Sequence, residues 1–197
     1  MTGNEKLKAL LKDSKGIITA QIAGVHDIHR EYLSEFVRQN KLIRVNHGIY
    51  ITPDVWEDRM VLLQLRKRKM VYSHETALYL HDLTDRDPVT YSVTVPTGYN
   101  TSRLNHEGLI VHTIKKELLE VGIQTMQTTF GNDIRTYNME RTICDILRDR
   151  KNQDTAIISD ALKRYVRKPE KDINCLMKYA SIFKVEKVTR SYMDVLL

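Results

Sequence analysis

Residues Ile18 to Ile51 read ITAQIAGVHDIHREYLSEFVRQNKLIRVNHGIYI, and this stretch decides the fold. Its closing part, Lys41 to Asp54, has the form of a small β-hairpin. Ile43 and Val45 alternate with Arg44, and Ile49 and Ile51 alternate with Tyr50. Alternation of this kind is what a half-buried strand requires, because successive side chains point to opposite faces. Gly48 can supply the positive φ of a three-residue hairpin loop. Pro53 cannot donate to a ladder and so ends the second strand. The outward positions are Arg44, Asn46, His47 and Tyr50, which gives the ribbon a polar, basic tip.

Upstream, the apolar spacing predicts helices. Leu7, Leu10 and Leu11 place one over Asn4 to Asp13, with Gly16 as its stop. Ile17 and Ile18 form a brief extended segment. Thr19 is an expected N-cap for a second, short helix over TAQIAGV, since its hydroxyl can accept from a free first-turn N–H. Asp27 is the expected cap of a third helix, IHREYLSEFVRQN. Ile28, Tyr32, Leu33, Phe36 and Val37 fall on its inner face, leaving Arg30, Glu31, Ser34, Arg38 and Gln39 outward.

Three helices followed by a two-stranded ribbon is the order of a winged helix-turn-helix. In such a head the third helix lies in the major groove with its N-terminal residues at base edges. Arg30 can reach guanine bidentately, and Ser34 can meet a base or a phosphate. Arg38 and Lys41 are expected at phosphates, and Arg44, Asn46 and His47 at the backbone or minor groove. Thr19, Gln21 and His29 complete the expected contact set on the head. Glu31 and Glu35 repel phosphate, and the same module also serves as a protein-interaction platform, so that reading stands beside the first.

The run REYLSEFVRQNKLIRV into the wing and the strand GIYI resemble the N-terminal winged helix of the AbiEi family, antitoxins and transcriptional regulators of bacterial abortive-infection, type IV toxin–antitoxin systems. The segments YSHETALYLHDLTD and YSVTVPTGYN resemble the start of that family's C-terminal domain. The resemblance implies a repressor that binds inverted repeats in the promoter of its own operon, with protomers assembling cooperatively on DNA. It also implies a C-terminal domain that opposes a nucleotidyltransferase-like toxin without a stable complex.

Around this head the remaining residues suggest an α+β chain in three parts: a winged helix-turn-helix at 1–55, a bridging helix at 56–72 and a C-terminal domain at 73–197. The bridging helix takes Val55, Met60, Val61, Leu63 and Leu65 as its apolar side. Arg66, Lys67, Arg68 and Lys69 follow as the densest positive run; the first three are candidates for flanking phosphates, although basic residues also complement a helix C-terminus. Ser73 is the expected N-cap of SHETALYLHDL. VTYSVTVP, GLIVHTI, GIQTMQTTF and GNDIRTYN read as strands, the last two as a hairpin through Gly131 and Asn132. From Met139 four helices follow, making a small mixed sheet with a helical bundle. Eight basic residues against four acidic lie between Arg148 and Lys171; with the head's charge they suggest a body that also touches nucleic acid, although a solvated helix face is the commoner origin of such runs.

Bulk properties fit this picture. The 197 residues carry 31 Lys+Arg against 25 Asp+Glu, a net charge of +6, which favours polyanionic partners modestly. Two cysteines far apart suggest a reducing cytoplasm rather than a disulfide framework. No apolar leader or 18-residue apolar run is present, so no membrane association is expected. Phosphate-cradling and zinc-protease motifs are missing, and Asp133 lacks the following Glu-x-Lys that a nuclease would want. His74 and His81, seven apart, and His106 and His112 could be imagined as a metal cluster. No carboxylate sits at ligand offsets, so they read as ordinary histidines, with no metal or cofactor expected. The competing functional class is a nucleic-acid-processing enzyme delivered by the winged head.

Overall fold

The computed structural model describes residues 2–197. The chain is α+β and divides into two compact units: residues up to Arg68 with Gln127–Ile134, and Lys69–Met126 with Arg135–Leu197.

The first unit runs α1 (Gly3–Asp13), β1 (Ile17–Thr19), α2 (Ala20–Val25), α3 (Arg30–Arg38), β2 (Ile43–Asn46), β3 (Ile49–Ile51) and α4 (Arg59–Arg66). Helix α1 begins in a capping box: Thr2 Oγ1 accepts from the Glu5 N–H, and Glu5 Oε2 accepts from the Thr2 N–H. This satisfies two donors that a helix start otherwise leaves open. The three strands form one antiparallel sheet in the order β1-β3-β2. Tyr50 and Ile18, paired across β3 and β1, pack on the head's core of Leu7, Ala23, Leu33 and Phe36. The other sheet face, Ile17, Ile49 and Ile51, is buried as well. Gly16 sits at φ +78°, and a Cβ there would press on the side chains of Thr52 and Val55, so any other residue is strained between α1 and β1.

Several details depart from the pattern expected of the sequence. Asp27 does not cap α3; it takes φ +57° in the connection, and His29 occupies the N-cap position without a side-chain bond. The connection needs one left-handed residue, and Asp tolerates that conformation better than most. The hairpin closes more tightly than expected, with Asn46 paired to Ile49 and Gly48 at φ +68°. A bulge between Arg44 and Asn46 shifts the register, and Ile43 is 47% exposed rather than inward. Leu42, just before β2, takes the inward place. Tyr50 is half-buried against the core rather than an outward position of the ribbon.

Helix α4 starts at Asp58, whose Oδ1 accepts from the N–H groups of Met60 and Val61. Its Oδ2 accepts from Thr128 Oγ1 and Asn132 Nδ2, so this buried carboxylate ties the 127–134 segment into the first unit. Lys15 Nζ donates to Gly131 O in the same unit.

The second unit holds a mixed five-stranded sheet in the order β6-β5-β4-β8-β7, from β4 (Val71–Tyr72), β5 (Ser92–Pro96), β6 (Ile110–Ile114), β7 (Ile123–Gln127) and β8 (Asp133–Tyr137). Strand β4, too short to show a period in the sequence, is central. It pairs antiparallel with β5 and parallel with β8. The alternation expected from Val89 onward is replaced by burial on both faces of β5, while Val89 itself lies outside the strand, 96% exposed. A strand with neighbours on both sides and helices near it has no solvent-facing side, so Ser92 and Thr94 are buried with Val93 and Val95. Helices α5 (His74–Leu80) and α6 (Ser102–His106) interleave with the sheet. Then α7 (Met139–Arg148), α8 (Thr155–Arg167), α9 (Ile173–Ile182) and α10 (Glu186–Leu196) form the bundle. Ser73 holds the N-cap position of α5 but makes no cap bond; its hydroxyl instead meets His74 Nδ1 and accepts from Thr94 Oγ1. Both cysteines are free thiols, and among the described residues no helix is long and apolar enough to cross a membrane.

Candidate functional site

The first unit presents one helix face and one ribbon tip. On α3, Leu33 and Phe36 point into the core. Arg30, Ser34 and Arg38 recur every four residues and are exposed. Residues at that spacing share one side of a helix, so these three form a single polar stripe. Ser34 Oγ donates back to Arg30 O at 3.2 Å, which leaves its lone pairs outward. Glu31 is exposed beside the stripe. Glu35 is engaged by Gln39 Nε2 at 2.9 Å, and Gln39 Oε1 accepts from Lys41 Nζ at 2.7 Å. That chain of contacts ties one of the two acidic residues to a cation, which softens its repulsion of a phosphate. Lys41 also lies over the Phe36 ring, 5.5 Å from the centroid.

The ribbon tip carries Arg44, Asn46 and His47, all exposed. Arg44 Nε donates to Asn46 O at 3.4 Å, and Asn46 Oδ1 accepts from the His47 N–H at 2.8 Å. The bulge and the left-handed Gly48 set this tip. Gln21 on α2 and His29 at the start of α3 are exposed. Thr19 is only 5% exposed, and its Oγ1 accepts from the Ile22 N–H at 3.1 Å. Its role in the fold is therefore the expected cap, and its hydroxyl is turned inward. Arg66, Lys67 and Arg68 lie at the end of α4, Lys67 as C-cap, on a different element from α3 and the wing.

In the second unit three of the eight residues of the basic run pair with acids. Arg164 pairs with Asp85 and, at 2.9 Å, with Asp160; Lys168 pairs with Asp82 at 3.6 Å and Arg148 with Asp145 at 3.6 Å. These three belong to a paired helix face of the kind that charge runs commonly form.

The histidines group differently from their spacing. His81 turns to Tyr137, its Nε2 2.7 Å from the carbonyl oxygen, and His106 is exposed. His74 instead stacks on His112, and Asp149 lies beside them. Burial lowers the basicity of both stacked rings; the charge of Asp149 partly offsets this at His112. No local pattern could reveal this group, because its members come from three elements far apart in sequence.

Comparison with known proteins agrees with the head. Residues 5–53 match the model of a family described as transcriptional regulator, AbiEi antitoxin. Comparison with curated proteins finds no match. Among solved structures, the chain resembles the crystal structure of the RV2827C protein from Mycobacterium tuberculosis, with a TM-score of 0.54 at 12% identity, over 92% of this chain and 72% of that one. At that identity the likeness speaks for the fold alone.

Proposed function

We propose, from the premise that the head of this chain is that of the AbiEi antitoxin and transcriptional-regulator family, that the protein is a sequence-specific DNA-binding repressor of its own operon and the antitoxin of a type IV system. The match over residues 5–53 supports a DNA-binding regulator. The observation that carries the reading is the pairing of the Arg30–Ser34–Arg38 stripe with the Arg44–Asn46–His47 tip on one packed core.

The stripe enters the major groove of promoter DNA, with Arg30 at a base edge, Ser34 at a base or phosphate, and Arg38 and Lys41 on phosphates. The tip follows the backbone or minor groove beside it. Gln21 and His29 contact the backbone at the start of the reading helix, and Arg66, Lys67 and Arg68 reach flanking phosphates. Inverted repeats in the promoter receive protomers in pairs, because a repeated half-site mirrors a repeated protein. The second unit opposes a nucleotidyltransferase-like toxin without forming a stable complex with it.

The test is a mobility-shift titration of the full chain on the promoter of its own operon. Binding should be sequence-specific, and its logarithm should fall linearly with the logarithm of salt, because neutralised phosphates release counterions. Replacing both Arg30 and Arg44 by Ala should abolish specific binding. Undiminished binding by that double variant, or no preference for the promoter, would overturn the assignment. Co-purification of an equimolar toxin complex would overturn the type IV part alone.

A further inference from the structure

His74 and His112 stack ring on ring, with centroids 3.4 Å apart and planes within 11°. Asp149 completes the group: one donor atom from each of the three side chains lies within 4.8 Å of the other two. We infer that these three side chains are the protein ligands of a divalent transition-metal ion of the Zn2+ class.

The donor set favours that class. Two imidazoles and one carboxylate are the borderline ligands that Zn2+ accepts, whereas Ca2+ and Mg2+ ask for oxygen throughout. Three protein ligands leave a fourth position for water, the pattern of an open zinc site.

The spacing also fits. His112 Nδ1 and Asp149 Oδ2 are 4.0 Å apart. That is too far for a hydrogen bond. A tetrahedral ion at about 2.0–2.2 Å from each donor would hold the pair about 3.4 Å apart, a closure of roughly half an ångström. The rings must turn from their parallel stack so that their lone pairs converge, a rotation within each side chain.

An unpartnered atom points the same way. Gln153 Oε1 is buried with no hydrogen-bond partner. A buried polar atom left unpaired costs about 1–3 kcal/mol. Gln153 Nε2 donates to Asp149 Oδ2, so its free Oε1 is placed beside the carboxylate, where it would accept from a metal-bound water.

An outer layer already orients the ligands. Asp149 Oδ1 accepts from Asn152 Nδ2 at 2.6 Å. His74 Nδ1 lies 3.0 Å from Ser73 Oγ, which accepts from Thr94 Oγ1 at 2.8 Å. A ring engaged at Nδ1 presents Nε2 to the ion. Metal-binding histidines are typically fixed in this way through their other nitrogen.

The backbone carries a further sign. His74 is buried at φ +49°, a left-handed conformation that a non-glycine residue adopts at a cost. Asp149 caps the C-terminus of α7, the end whose dipole favours a cation. Arg148 is drawn to Asp145. The ion would tie α5, the edge strand β6 and the end of α7 together. This inference stands independently of the DNA-binding reading.

The experiment uses the full chain, stripped with chelator and dialysed against Zn2+, with retained zinc measured by atomic absorption and Co2+ used as the spectroscopic probe. One zinc per chain, visible Co2+ bands of a four- or five-coordinate site and a melting temperature raised by Zn2+ are expected. His112→Gln and Asp149→Asn should each weaken zinc binding by at least about 10–100-fold, the range seen even for outer-layer partners. His106→Gln, at an exposed histidine outside the group, should leave it unchanged. Zinc lost from the wild type on dialysis, or retained equally by the His112 and Asp149 variants, overturns the site. Should a variant fail to fold, the imidazole nitrogen shifts of His74 and His112 in the wild type decide: they move on adding Zn2+ if the site is real and stay fixed if it is not.

Discussion

Arg141 and Asp145, one turn apart on α7, form an ion pair at 3.0 Å in which neither side chain reaches solvent. The guanidinium lies 4.1 Å from the Tyr137 ring centroid and 3.9 Å from that of Phe183. Its Nη1 donates to the carbonyls of Leu118 and Val121 at 3.1 and 2.8 Å. One side chain therefore joins the bundle to the turn before β7. Taking one member from a buried pair leaves the other charged and unsatisfied, at a cost of about 3–5 kcal/mol. Asp145→Leu should lower the stability of the protein by that order in urea unfolding. Arg141→Met combined with Asp145→Leu should recover part of it, because neither fully buried charge then remains and Arg148, which loses its partner, reaches solvent. A double variant as unstable as the sum of the singles would show that the contacts to the Leu118 and Val121 carbonyls, rather than the pair, carry the effect.

On the head, Arg30 and Arg38 share a stripe but should behave differently on DNA. Arg30→Ala should cost about 1–3 kcal/mol at the cognate site and relax the preference for one base pair. Arg38→Ala should weaken binding uniformly across sequences and reduce the salt slope by about one. Titrations of both variants on cognate and scrambled duplexes, at several salt concentrations, separate the two. Loss of base preference in the Arg38 variant, with none in the Arg30 variant, would reverse the assigned orientation of the helix.

The winged head was legible in the sequence because its signals are local. Thr19 is the cap that its position before an apolar helix predicted, and Leu33 and Phe36 turn inward as their spacing required. The bundle helices were legible for the same reason. Misread features depended on tertiary context. Ile43 lies directly opposite buried Ile51 yet is 47% exposed on the edge strand β2, and no residue pattern announces which strand lies at the edge. Strand β4 has two residues and therefore no period. Ser73 was recognised as an N-cap by position, yet its hydroxyl is drawn to His74 and Thr94 across the chain. Of the His74–His112–Asp149 group the sequence offered both histidines for a conceivable cluster, but helical spacing paired His74 with His81 and nothing local added Asp149.

Thr19 gives a local test of the head. Its hydroxyl accepts from the Ile22 N–H, and α2 has only six residues over which to form. Thr19→Ala should destabilise the protein by about 1 kcal/mol, within the 0.5–2 kcal/mol range of lost caps. Thr19→Ser, which keeps the acceptor, should recover most of that. Thermal unfolding of the three proteins measures it. Equal melting of the Ala and Ser variants would mean that the methyl group, and not the cap, matters at this site.

His81 sets a pH dependence whose sign follows from its surroundings. Burial lowers its basicity below the ordinary value of 6.5, partly offset by the hydrogen bond to Tyr137 O, so the folded chain binds this proton less readily than the unfolded chain. A base of this kind adds its full stability above the unfolded value. That stability is lost as the medium acidifies from about pH 6.5 toward the lowered folded value, because the unfolded state gains the proton first. The loss from one ring cannot exceed about 1.4 kcal/mol per pH unit. His81→Gln can still donate to the Tyr137 carbonyl but does not titrate. In the presence of chelator, the stability difference between wild type and this variant should shift in favour of the variant on moving from about pH 7.5 to about pH 5. Urea unfolding at both values measures the difference. A constant gap would show that the ring is protonated as readily in the folded protein as in the unfolded chain.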